Sequence, residues 1–174
     1  VTTVTGTASA VIAAYADIEN GLGNEAISIN SGTASVSQLN SIDLLTSGAI
    51  TATISDGGMT TLTTLTENNN NSTLTITVTD ASVAAADIST VKGVNTNGTI
   101  AFSTDVATVT GAAGAIITAY GQVNSGKGDE AINVNSGTTS VSQLNSIDLL
   151  TTGAITATIT EGDMATLTTL TENN

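Results

Sequence analysis

Residues 49–67 read AITATISDGGMTTLTTLTE, and two different periodicities meet inside that stretch. From Ala49 to Ile54 apolar and hydroxyl residues alternate strictly. Ile50, Ala52 and Ile54 then fall on one face of a strand, and Thr51, Thr53 and Ser55 on the other. After Gly57 and Gly58 the apolar spacing lengthens to three, with Met59, Leu62 and Leu65 forming one stripe of a short helix. Strand, glycine turn, short helix is one cycle of a coil.

The cycle recurs. Alternating segments return at AISIN from Ala26, TLTITVT from Thr73, TIAFS from Thr99, AINVN from Ala131 and AITATI from Ala154. With Ile27, Ile50, Leu74, Ile100, Ile132 and Ile155 as equivalents, the spacings are 23, 24, 26, 32 and 23 residues. Helical stripes follow the strands: Val36, Leu39, Ile42 and Leu45; Val83, Ala86 and Val91; Ile116, Tyr120 and Val123. Ser35 with Gln38 and Ser140 with Gln143 fit a capping box, and Asp163 is placed to cap the helix beginning at Met164. Gly48, Gly93 and Gly153 are expected at left-handed helix C-termini.

A longer period lies over the short one. Residues 1–69 align without gaps on 106–174, with 49 of 69 positions identical and SVSQLNSIDLLT from Ser35 repeated from Ser140. The chain thus holds about 1.66 copies of a 105-residue repeat, 1–105 and the partial 106–174. Repeats of 20–50 residues that cannot bury their own apolar edge stack into solenoids. The expected fold is α/β: one continuous right-handed solenoid over 1–174, with one parallel β-sheet and short helices on the opposite wall. Strands are expected near 26–30, 49–54, 74–79, 99–103, 131–135 and 154–159. The six equivalent residues from Ile27 to Ile155 should form one buried ladder. The lack of proline agrees, because every stacked strand residue must donate a ladder hydrogen bond.

Composition narrows the function. Fifteen acids face only Lys92 and Lys127, a net charge of −13. Phosphate neutralisation needs clustered Lys and Arg, so nucleic acid is an unsuitable partner, and so is an anionic membrane surface. No segment is long and apolar enough to span a bilayer. With no His, Cys or Arg, thiol nucleophiles and histidine-based triads are excluded. Carboxylate pairs remain, Asp129 with Glu130 and Glu161 with Asp163. No aromatic platform accompanies them, and a non-enzymatic role is expected.

The coil length resembles that of leucine-rich repeats, although their LxxLxLxxN signature is absent. The texture of AITATITEGDMATLTTLTE and TITVTDASVAAADISTVKG resembles repeat regions of giant secreted surface proteins of cyanobacteria and other bacteria. That resemblance implies export, often by type I secretion, and service in a surface layer, fibre or adhesin at the cell surface, with other surface components or polysaccharide as partners. Locally, Gly126-Lys127-Gly128-Asp129-Glu130 resembles the back half of an RTX nonapeptide, and Gly21-Leu22-Gly23-Asn24-Glu25 matches it one repeat earlier. In that family glycine-turn carbonyls and an acid bind calcium between adjacent coils. The resemblance therefore implies calcium at Gly126, Gly128, Asp129 and Glu130, and at Gly21, Gly23, Asn24 and Glu25. The opposing expectation is a plain glycine turn feeding a strand, with no cofactor.

Two surface expectations complete the reading. Thr51, Thr53, Thr75, Thr77, Thr156 and Thr158 form outward T-x-T pairs similar to those of ice-binding solenoids, interrupted by Asn and Ala at equivalent positions. The chain starts and stops inside a repeat without polar caps. Strand 154–159 and the stripe Met164, Leu167 and Leu170 are therefore expected to serve head-to-tail self-association into filaments.

Overall fold

The computed structural model describes residues 1–17, 23–135 and 137–172. The order of elements is β1 (Thr3–Gly6), α1 (Ala8–Asp17), β2 (Ala26–Ile29), α2 (Val36–Asp43), β3 (Ile50–Thr53), α3 (Met59–Leu62), β4 (Thr73–Val78), β5 (Ser82–Ala84), α4 (Ala85–Val94), β6 (Thr99–Phe102), β7 (Thr108–Gly111), α5 (Ala113–Gln122), β8 (Ala131–Val134), α6 (Val141–Asp148), β9 (Ile155–Thr156) and α7 (Met164–Leu167). The fold is α/β, and every strand pairing for which a register is described is parallel.

The chain divides into two compact units, Val1–Val78 with Thr90–Ile100, and Thr79–Ser89 with Ala101–Asn174. The expected single sheet is two. One has the order β1-β2-β3-β4-β6, and the other, in the second unit, β5-β7-β8-β9. Three short strands were not expected from sequence. β1 and β7 are four-residue TVTG segments leading directly into helices. In β5, Val83 belongs to a strand and not to the helical stripe, and Ala86 is exposed. The buried stripe of α4 is Ala85, Ile88 and Val91 instead.

The ladder changes accordingly. In the first unit Val4, Ile27 and Ile50 are neighbours, but Leu74 pairs with Ala52, two residues along. In the second unit the ladder is Val83, Val109, Ile132 and Ile155, with Val109 beside Ile132 in the place expected for Ile100. Alternation still sorts the faces, since Leu74, Ile76 and Val78 are buried and Thr73, Thr75 and Thr77 exposed. This is the pleat at work, apolar side chains on one face and hydroxyls on the other.

Helix starts follow the sequence closely. Ser35 and Ser140 each accept from the backbone N–H of the glutamine three residues on, completing both capping boxes. Asp163 accepts from Thr166 N at 2.9 Å, which holds its carboxyl below the usual range. Helix ends do not follow it. Gly48 and Gly153 are outside the left-handed region, and Gly93 lies within α4. A Cβ at Gly48 would lie 2.7 Å from Ala26 N and closer still to the Glu25 carbonyl, and one at Gly153 would lie 2.8 Å from Ala131 N. These two glycines are required by the close approach of one coil's backbone to the next.

Candidate functional site

The glycine turns preceding β2 and β8 carry the residues that resemble a calcium loop. Gly21 lies outside the described residues. In the second unit Gly126 and Gly128 take φ of +74° and +123°, turns that a side chain would strain. Their acid turns inward. Glu130 is only 2 % exposed, and its Oε2 accepts from the Tyr120 hydroxyl at 2.8 Å and from Gly128 N at 2.9 Å. Burial, and secondarily Glu130, push the Tyr120 hydroxyl up. Lys127, in the middle of the turn, donates to the carbonyls of Tyr120 and Val123. Its ammonium thereby satisfies the C-terminal end of α5, where the helix dipole favours a cation.

The first unit repeats this arrangement around Glu25, also 2 % exposed. Its Oε2 accepts from Gly23 N at 2.7 Å, Asn24 N at 3.2 Å and Tyr15 Oη at 3.2 Å. The Gly23 N–H bond is the leading cause that holds this carboxyl below the usual carboxylate range. Calcium needs six to eight oxygens in one shell. Here Oε2 of each acid is engaged with its own turn, and in the second unit Lys127 lies three residues before Glu130 within that turn. Among the described residues no three acidic side chains converge. Each acid forms a buried Tyr–Glu corner at the entry to a strand, and Glu130 Oε1 is buried there without a hydrogen-bond partner.

Of the two carboxylate pairs, Glu161 and Asp163 are both engaged in hydrogen bonds. Glu161 accepts from Val141 N at 3.2 Å and Thr160 Oγ1 at 2.9 Å, while Asp163 caps α7. Asp129 is exposed, whereas its neighbour Glu130 is buried.

Other polar residues, not singled out from sequence, tie successive coils together. Asn40 donates to Thr64 O and accepts from Thr66 N, both at 2.9 Å. Asn145 does the same with Thr169 O and Thr171 N. Thr46 donates to Glu25 O at 2.7 Å and Thr151 to Glu130 O at 2.6 Å. Asp56 accepts from Val36 N at 2.7 Å, reaching back 20 residues to the first turn of α2, as Glu161 does for α6. Fully buried Asn95 pairs with both backbone groups of Leu74, accepting from its N–H at 3.1 Å and donating to its C=O at 2.9 Å. The available signal was identity at positions 105 apart, which Asn40/Asn145 and Thr46/Thr151 display. Asn95 has no second copy in the chain and gave none.

The outward face of the first sheet carries hydroxyls in register. Thr5, Ser28, Thr51 and Thr73 are successive neighbours across four strands, with Thr53 beside Thr75 in a second row. Thr5, Thr51, Thr53, Thr73 and Thr75 are exposed. In the second sheet the corresponding row is Thr110, Asn133 and Thr156.

No helix among the described residues is long and apolar enough to cross a membrane. Compared with known families, with characterised proteins and with solved structures, the chain matches none.

Proposed function

We propose that this chain is a structural repeat segment of a long extracellular fibre, surface layer or adhesin, in which coils of 23–32 residues propagate as a right-handed α/β solenoid. The observation that carries the reading is the recurrence of the inter-coil ties at an offset of 105. The asparagine bridge, the threonine-to-carbonyl bond, the reach-back acid cap and the capping box occur in both repeats with the same partners. Catalytic residues need a cleft that holds substrate. Here the polar groups that recur in both repeats hold one coil to the next. A parallel stack built this way adds length with each repeat, and its surplus of acids keeps it soluble. Resemblance to secreted surface arrays supports the extracellular setting. Trypsin's scarce targets support it too, since Lys92 donates to the loop carbonyls of Thr96 and Gly98 and Lys127 to the helix-end carbonyls of Tyr120 and Val123.

Electron microscopy and small-angle scattering of chains with one, two and four complete repeats test this. Particle length should grow linearly with repeat number at constant width. Growth of all dimensions together would sink the proposal.

A second reading, binding of ice or another ordered hydroxyl surface, is favoured by the Thr5–Ser28–Thr51–Thr73 row. Sheet geometry spaces such rows at roughly 6.6 Å along a strand and 4.8 Å between strands. Thermal hysteresis at micromolar protein that vanishes in Thr51→Tyr supports it, and absence of activity retires it.

A further inference from the structure

The segment AITATI occurs twice and folds differently in the two places. From Ala49 it gives the four-residue strand Ile50–Thr53 and an isolated bridge at Ile54, with Ile50, Ala52 and Ile54 buried. From Ala154 it gives two strand residues and one isolated bridge, with Ile155, Ala157 and Ile159 half-buried. The stripe that follows diverges too. Met59 and Leu65 are 5 % and 4 % exposed, whereas Met164 and Leu170 are 70 % and 45 % exposed. Identical local sequence with different burial means that a neighbour makes the difference. In the first unit the neighbour is β4. It pairs Thr73, Leu74 and Thr75 with Thr51, Ala52 and Thr53, and places Leu74, Ile76 and Val78 in the core. In the second unit the corresponding space is an open groove of about 530 Å³ lined by Leu144, Asp148, Gly153, Ile155, Ala157 and Leu170.

We infer that this groove is the docking site for a strand with the sequence of Thr73–Val78, in parallel register, supplied by a further copy of the 70–98 coil following the second repeat. The inference rests on the propagating-repeat reading above and specifies its partner. The occupant's chemistry is set by the first unit. Its Leu and Ile at alternate positions fill the apolar floor, and its first and second Thr lie opposite Thr156 and Thr158. A serine preceding the strand accepts from Ile155 N, as Ser72 Oγ does from Ile50 N at 3.2 Å. An asparagine before that serine donates to Thr152 O, as Asn71 Nδ2 does to Ser47 O at 3.0 Å. Ile159 N donates to the second threonine's carbonyl, as Ile54 N does to Thr75 O at 2.9 Å. An arbitrary apolar peptide meets the floor but not these three polar conditions.

The test is hydrogen exchange on the 174-residue chain and on the same chain extended after Asn174 by a second copy of residues 70–105. In the extended chain the amides of Ile155 and Ile159 should slow by at least about 100-fold. The same extension carrying Leu74→Asp and Ile76→Asp in its added copy should leave them fast. The idea fails if the intact extension, shown by circular dichroism to be folded, leaves both amides exchanging as in the shorter chain. Protection already present in the shorter chain and rising with its concentration would instead assign the groove to a second molecule, which also overturns the proposal. Particle length in the tandem series is read independently. A rod without amide protection rejects the docking alone, while protection without a rod rejects the fibre reading.

Discussion

Replacing Gly48 or Gly153 by alanine distinguishes a glycine needed for its dihedral angle from one needed for lack of a side chain. If Gly48 were a left-handed helix cap, asparagine would substitute well and alanine would cost only about 1 kcal/mol. In the structure a Cβ at Gly48 meets backbone, 2.7 Å from Ala26 N, where ordinary contact begins at 3.4 Å. Coils 25 and 48 would have to part by roughly 0.7 Å or more to relieve it. Bonds that cross that seam include Thr46 Oγ1 to Glu25 O at 2.7 Å, Ser47 N to Gly23 O at 2.8 Å, Ser47 Oγ to Gly23 O at 3.1 Å and Ile27 N to Ala49 O at 2.8 Å. A shift of that size carries each to the limit of hydrogen bonding, at about 1 kcal/mol per bond with packing strain added. The expected loss is about 2–4 kcal/mol for either substitution, or about 10–25 °C in Tm for a unit of this size. Gly93→Ala is the internal control. Nothing lies within 4 Å of its Cβ and it sits inside α4, so it should gain about 0.5–1 kcal/mol. Urea and thermal unfolding followed by circular dichroism measure all of these. Gly48→Asn melting with the parent chain, or Gly48→Ala costing under about 1 kcal/mol, would refute the close-approach argument.

Asn95→Ala removes both partners of the Leu74 backbone in a fully buried place, and should cost about 2–5 kcal/mol in urea unfolding. Glu25 has a folded pKa held below its ordinary 4.5 by the Gly23 N–H bond. Its stabilisation is complete above that value and is lost as pH falls through the folded pKa, so Glu25→Gln should flatten the acid limb of a Tm-against-pH profile. Asp43 acts with the opposite sign. Burial raises its carboxyl above the ordinary 3.8, so it withdraws stability as pH rises from there to its folded value, and Asp43→Asn should remove that dip. Millimolar calcium should leave Tm within about 1 °C in both the parent chain and Glu130→Gln. A rise of several degrees that needs Glu130 would show the carboxylate to be a ligand.

Read as residues alone, this chain determines its periodicities. Alternation of Ile, Val and Thr identified β2, β3, β4, β6, β8 and the start of β9, and the serine–glutamine boxes marked where α2 and α6 begin. Both signals are local, carried within five or six residues, so they survive without knowledge of the partner. Partnership itself was beyond it. Which strand lies beside which depends on how many residues each coil spends before returning, and the 32-residue interval between Ile100 and Ile132 concealed β7 and the second sheet. The glycines at 48 and 153 and the asparagine at 95 have roles defined by backbone 21 to 23 residues away. The acids at 25 and 130 resemble ligands in a linear motif, and only the fold shows that each is buried and accepts from a tyrosine ten residues earlier. Contacts of that kind are set by the stacking of coils, and identical sequence at Ile50 and Ile155 acquires different burial because only β4 covers the first.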